Sequence, residues 1–198
     1  MDGLIEAIGP LIGRFVERDF EEEQVKVMFT SQGLTVFLQD GFIELVRGSE
    51  IMLPRWIARA LVEYGYAKIA EDDIDNRRLS IIDFIESKNK SKPKFEKLKG
   101  YFYRRLKEKM NDVIREYRSS DVRDIQKVEI IKTISNFLSS LVDMRTRKIL
   151  NFLTPRIYPR EIVESLSEEE KLFFKGIRAL LDVYYNNVLG VEAREPGK

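Results

Sequence analysis

An α+β fold is predicted: a small N-terminal antiparallel β module with a short helix, then an all-α helical-bundle domain. Three observations predict it. Between residues 24 and 69, apolar positions alternate in short runs parted by turn residues, the strand period. From Leu79 onward they recur every three or four residues, the helix period. Between the two regimes lies an acidic stretch, Glu71, Asp72, Asp73 and Asp75, which reads as a solvated linker. Domains are therefore expected over 1–72 and 73–192, with a disordered tail over 193–198.

The elements follow in order. Leu4, Ile8, Leu11, Ile12 and Phe15 have helical spacing, although Gly9-Pro10 should break or kink that segment. The acidic run after it, Glu17 to Glu23, reads as an exposed connector. The runs QVKVMFT (24–30), LTVFLQ (34–39) and FIELV (42–46) are parted by Ser31-Gln32-Gly33 and by Asp40-Gly41. Asp-Gly between β-prone runs is the strongest short hairpin signal, so a three-stranded meander is expected. After Gly48-Ser49 and Ile51-Met52-Leu53, Pro54 suits the first turn of a helix. Trp56, Ile57, Ala60, Leu61 and Tyr64 then form one apolar stripe, Gly65 can end the helix, and 66–69 can return as a strand. Pro54, Trp56 and Leu61 are the expected core that closes the module, with Trp56 plugging its open face and Arg55 pointing away.

Beyond the linker, Leu79, Ile82, Phe84 and Ile85 mark a helix ending before Lys88, and residues 100–118 a second. A third runs from Val122 past Ile149, about 45 Å at 1.5 Å per residue, longer than a domain of this size covers by itself. Pro155 and Pro159 bracket a turn, and Ser167 with Glu170 forms a capping box that opens the last helix.

Chemistry is bounded mainly by absences. The 198 residues hold no cysteine and no histidine, which removes disulfides, thiol catalysis, Cys/His zinc sites and the Ser-His-Asp triad. No Gly-rich phosphate loop is present, and Asp73-Ile74-Asp75 is a weak metal signal. No catalytic, cofactor-binding or metal residue is nominated. Hydrophobic residues at 43% and charged residues at 34%, with 34 cations against 33 acids, read as a soluble globular chain whose charge hints are local. The start of the chain is not a secretory signal, so a cytoplasmic location is expected, nucleoid-associated if the source is archaeal.

Two constellations stand out. Between Lys88 and Lys109 lie ten lysines and arginines against two glutamates, with Phe95, Tyr101, Phe102 and Tyr103 interleaved. Lys90, Lys92, Lys94, Arg104 and Arg105 are the candidate contacts to nucleic acid or another partner, with Tyr101 and Tyr103 open to stack on bases. Near the end of the long helix, Arg145, Arg147 and Lys148 suit the dipole. Arg145 falls on the apolar register and is expected in a buried ion pair, with Glu168 to Glu170 or a partner chain supplying the acid.

The stretch Gly48-Ser49-Glu50-Ile51-Met52-Leu53-Pro54-Arg55-Trp56-Ile57-Ala58 resembles the "G-x-x-x-x-L-P-x-W-[IL]-A" closure of the β module in the GINS replication factors. Two more segments resemble the helical domain of the same family. They are Phe95-Glu96-Lys97-Leu98-Lys99-Gly100-Tyr101-Phe102, and Arg145-Thr146-Arg147-Lys148-Ile149-Leu150 followed by Leu166-Ser167-Glu168-Glu169-Glu170. The order of parts is similar to the branch with the β module first, which eukaryotes split into Psf-two and Psf-three and archaea combine. The segment from Asp2 to Arg18 has no place in that pattern.

The resemblance implies a non-enzymatic scaffold subunit without cofactors. Its partners would be a sister GINS subunit of reversed domain order in a 2:2 heterotetramer, the MCM helicase, a RecJ-like protein, and primase or a DNA polymerase. The expected subunit interface is Ile134, Leu138, Leu141, Arg145, Leu150, Leu180 and Tyr184. The alternative is a nucleic-acid-binding regulator that uses the basic 88–109 segment.

Overall fold

The computed structural model describes residues 2–31, 35–38, 41–44, 46–70, 74–90, 92, 94–119, 124–153 and 160–190. The chain forms two compact units, Met1–Asp73 and Ile74–Lys198, and its class is α+β.

The first unit opens with helix α1 (Asp2–Glu21), which runs through Pro10 without a break. The expected interruption is absent because Glu6, whose carbonyl loses its partner to the proline ring, lies on an exposed flank open to water. The helix also absorbs most of the acidic run after Arg14, so that run is not a connector.

Strand β1 (Gln24–Phe29) is the centre of a three-stranded antiparallel sheet, between β4 (Glu50–Pro54) and β5 (Ala67–Ile69). Val27 pairs with Ile51 on one side and Ile69 on the other, so both edges of β1 are occupied. That occupancy replaces the expected meander. Strands β2 (Thr35–Leu38) and β3 (Gly41–Glu44) form a separate hairpin, whose last pair is Leu38 with Gly41. Gly41, at φ +133°, supplies the backbone freedom that closing so tight a hairpin needs.

Pro54 does not begin the helix. It ends β4, paired with Gln24, and helix α2 (Arg55–Glu63) starts one residue later. An edge strand tolerates proline because one side of its ladder is vacant. Val25, Val27 and Phe29 point inward from alternate positions of β1 and meet Leu53, Ile57, Ala58, Leu61 and Ala67 in one core.

The second unit is helical: α3 (Asn76–Lys88), α4 (Phe102–Ser119), α5 (Ile125–Leu153), the short α6 (Arg160–Glu164) and α7 (Glu168–Val183), which continues into a π-helical turn (Tyr184–Val188). Asp75 caps α3 by accepting from the Arg78 N–H. Ser167 and Glu170 form the expected capping box of α7. Helix α5 spans 29 residues, about 44 Å. Two cores cover it in succession: Ile134, Phe137 and Leu141 pack with α3 and α4, and Ile149 and Leu153 pack with Phe95, α6 and α7. Most of its apolar length is thus buried within its own chain. No helix among the described residues is long and apolar enough to cross a membrane. The Pro155–Pro159 turn, Asp73 and the 193–198 tail lie outside the described residues.

Candidate functional site

In the first unit the Pro-Arg-Trp triplet reverses the expected roles of its arginine and tryptophan. Arg55 is fully buried and Trp56 is 53% exposed, so Trp56 does not plug the sheet. The cause is a one-residue shift of the helix phase. The buried face of α2 is Arg55, Ile57, Ala58 and Leu61, and Trp56 lies about 100° from Arg55 around the axis. Arg55 donates to Glu23 Oε2 at 3.1 Å, and its guanidinium sits 4.5 Å from the centre of the Phe20 ring. Arg59, one turn on, is ion-paired with Glu21. Phe20 and Glu21 at the end of α1, and Glu23 just past it, thus hold α2. Leu61 is in the core, and Pro54 is half-buried.

In the second unit the long helix carries two cations into the interior, between its two apolar cores. Arg145 is completely buried and uses all five of its N–H donors within the chain. Nε donates to Glu170 Oε1 at 2.6 Å, and Nη2 donates to Glu170 Oε2 at 2.7 Å and to the Ser165 carbonyl at 3.3 Å. Nη1 donates to Glu86 Oε1 at 2.6 Å and to the Glu96 carbonyl at 2.9 Å. Lys148 Nζ donates to Glu86 Oε2 at 2.7 Å and to the Lys94 carbonyl at 2.6 Å. Glu86, also fully buried, takes the Glu96 N–H at 2.8 Å as well. Glu170 completes the set by accepting from the Tyr103 hydroxyl at 2.6 Å and the Ser167 N–H at 2.9 Å. Phe95 lies against both cations, 4.9 Å from Arg145 Cζ and 4.6 Å from Lys148 Nζ.

This cluster joins α3, the segment before α4, α4 itself, α5 and the start of α7. Burial alone would lower the Arg145 pKa, but the hydrogen-bonded Glu170 carboxylate, together with Tyr103 and Glu86, drives the value up. Burial and the neighbouring Glu170 carboxylate push the Tyr103 hydroxyl far above its ordinary range. Glu169 differs. Its Oε1 accepts the Arg104 N–H at 3.1 Å, while its buried Oε2 has no hydrogen-bond partner among the described residues. Burial accordingly raises its pKa.

Of the expected sources of an acid for Arg145, Glu168 to Glu170 or a partner chain, Glu170 provides it, together with Glu86. Glu86 had no signal beyond its position on the buried face of α3. The pair lies inside one chain, so Arg145 cannot serve a subunit interface. Neither can Ile134 and Leu141, both completely buried in the core they form with α3 and α4. Leu138 is half-buried beside them. Leu150, Leu180 and Tyr184 do lie outside, at 42%, 66% and 47% exposure. The last two share a stripe along α7 and its π-helical extension with Phe173, Gly176, Val183 and Val188, all exposed. The opposite side of α7 turns Phe174, Ile177 and Leu181 into the core.

Of the two tyrosines expected to stack on bases, Tyr101 is half-buried and Tyr103 is engaged within the chain. Phe95 and Phe102 are buried, and Tyr103 is held by Glu170. Lys90, Lys92 and Lys94 are exposed, whereas Arg104 and Arg105 are half-buried in the first turns of α4. Among the described residues no group of three or more acidic or other ligating side chains could hold a metal ion. Compared with known proteins, no family model matches the chain, and no curated protein matches it significantly.

Proposed function

We propose that the chain is a non-enzymatic scaffold subunit of a GINS-type replication assembly. In this reading it joins a sister subunit of reversed domain order and helps link an MCM helicase to a RecJ-like partner, with primase or a DNA polymerase as further contacts. The observation that carries the proposal is the apolar stripe of Phe173, Leu180, Val183, Tyr184 and Val188, exposed on a helix whose other face packs into the core. Contiguous apolar surface of this kind marks association. Gly176 lies within the stripe with open space where a Cβ would stand, which lets a partner helix approach closely.

The buried cluster supports a scaffold rather than a catalyst. An acid or base that works on a substrate must be within reach of it. Here Glu86, Glu170, Arg145 and Lys148 are buried and bonded to one another, an arrangement that fixes helices. The subunit contact is accordingly assigned to Leu150, Leu180 and Tyr184, and Ile134, Leu141 and Arg145 are withdrawn from it.

Co-expression with a reversed-order GINS subunit from the same genome, followed by affinity capture, tests the proposal. Stoichiometric co-purification that is lost on Leu180→Lys is expected. No capture of the sister subunit, or capture that Leu180→Lys leaves unchanged, contradicts it.

A further inference from the structure

From 94 to 99, before α4, the chain has no regular secondary structure, and its side chains divide by position. Phe95 and Leu98 are buried, while Lys94, Lys97 and Lys99 are exposed. Lys88, Lys90 and Lys92, also exposed, lead into it. Its backbone is held at successive points by the buried cluster and by the turn before α7. The Lys94 carbonyl takes Lys148, the Glu96 carbonyl takes Arg145, the Glu96 N–H goes to Glu86, and the Leu98 N–H goes to the Ser165 carbonyl at 3.2 Å. Lys90, Lys92, Lys94, Lys97 and Lys99 form no ion pair among the described residues. The one carboxylate within the strip, Glu96, is paired with Arg78 at 2.9 Å.

We infer that this pinned strip is a docking surface for the phosphate backbone of nucleic acid. A charge row on a loose loop loses conformational entropy when it binds, whereas this backbone is already fixed. From 94 to 99 the chain can extend at most about 18 Å, against a phosphate rise of about 3.4 Å per strand of duplex. Each of the three lysines can therefore meet its own phosphate.

The chemistry favours nucleic acid over an acidic protein. Lysine is depleted from protein interfaces, whose cores are built on apolar and aromatic anchors, and Phe95 and Phe102 here are buried. Lysine is also a point charge without the planar fork that grips a carboxylate in two places. With Phe95, Phe102 and Tyr103 occupied elsewhere, the contact is made to phosphates and carries no sequence preference. This inference does not depend on what covers α7, because its test uses the chain alone.

The test is fluorescence anisotropy of the full chain with a labelled mixed-sequence DNA of about twenty nucleotides, single- and double-stranded, from about 50 to 200 mM salt. Binding at the lowest salt is expected, falling steeply as salt rises. The triple variant Lys94→Gln, Lys97→Gln, Lys99→Gln should bind at least about tenfold more weakly, with a log–log salt slope shallower by about three. No binding at the lowest salt, or an unchanged affinity and slope in the variant, overturns the inference. So does a poly-glutamate chain that binds as tightly as DNA, an outcome that assigns the strip to an acidic protein.

Discussion

Arg145 and Trp56 show how one side chain's role turns on burial. Replacing Arg145 with Met leaves Glu170 in the interior without its countercharge and Glu86 with Lys148 alone. Removing one member of a buried ion network costs about 3–5 kcal/mol, so the urea midpoint of R145M should fall sharply. Arg145→Lys should recover only part of it, because an ammonium cannot supply five donors in a plane. A midpoint within error of the wild type would show that the cluster does not hold the helices. Trp56 calls for the opposite expectation. At 53% exposure, Trp56→Ala should cost under about 1 kcal/mol, whereas Leu61→Ala in the core should cost about 2–5 kcal/mol. Chemical denaturation of the two variants side by side decides it, and a larger loss for W56A would restore tryptophan as the plug. The sequence makes Arg145 legible because it falls on the apolar register of its helix. Arg55 is illegible there because it reads as the charged neighbour of a tryptophan. Only the phase of α2, set by where β4 ends, shows which of the two turns inward.

At the scale of elements, helices were legible and strand pairing was not. Period and caps mark the helices locally, so the Ser167–Glu170 capping box and the amphipathic 102–119 stretch can be read directly. Pairing is nonlocal. Nothing in Gln24–Phe29 specifies that its neighbours are Glu50–Pro54 and Ala67–Ile69 instead of the next run along. The joint between α4 and α7 is another nonlocal feature. Glu169, in the first turn of α7, accepts a backbone N–H from the first turn of α4, while its other oxygen is buried without a partner. Burial places its folded-state pKa above the ordinary carboxylate value of 4.5, so folding favours the protonated form. Its contribution to stability is thus greatest below the unfolded pKa and declines as pH rises through the folded one. Glu169→Gln, which keeps an oxygen for the Arg104 N–H and removes the charge, should be more stable than the wild type at pH 8. That advantage should vanish towards pH 4, and urea midpoints across this range check it. A pH-independent difference would remove Glu169 titration as its cause.

At the scale of the molecule, the division of α5 between two cores changes where association belongs. A helix of about 44 Å suggests burial against a second chain, but α3 and α4 cover one half and α6 and α7 the other. Surface for a partner remains mainly on the outer side of α7 and its π-helical turn, where Leu180 is 66% and Val188 68% exposed, with Leu150 on α5 at 42%. That distinction depends on tertiary packing, since both helices carry apolar residues at helical spacing. An apolar stripe without its natural partner drives a chain to pair with itself. Sedimentation of the purified full chain at micromolar concentration, beside its Leu180→Lys, Val188→Lys variant, tests the scaffold reading most directly. A mass above the 23.3 kDa monomer for the wild type, returning to the monomer in the variant, is expected. A wild-type chain that sediments as a single monomeric species would contradict it.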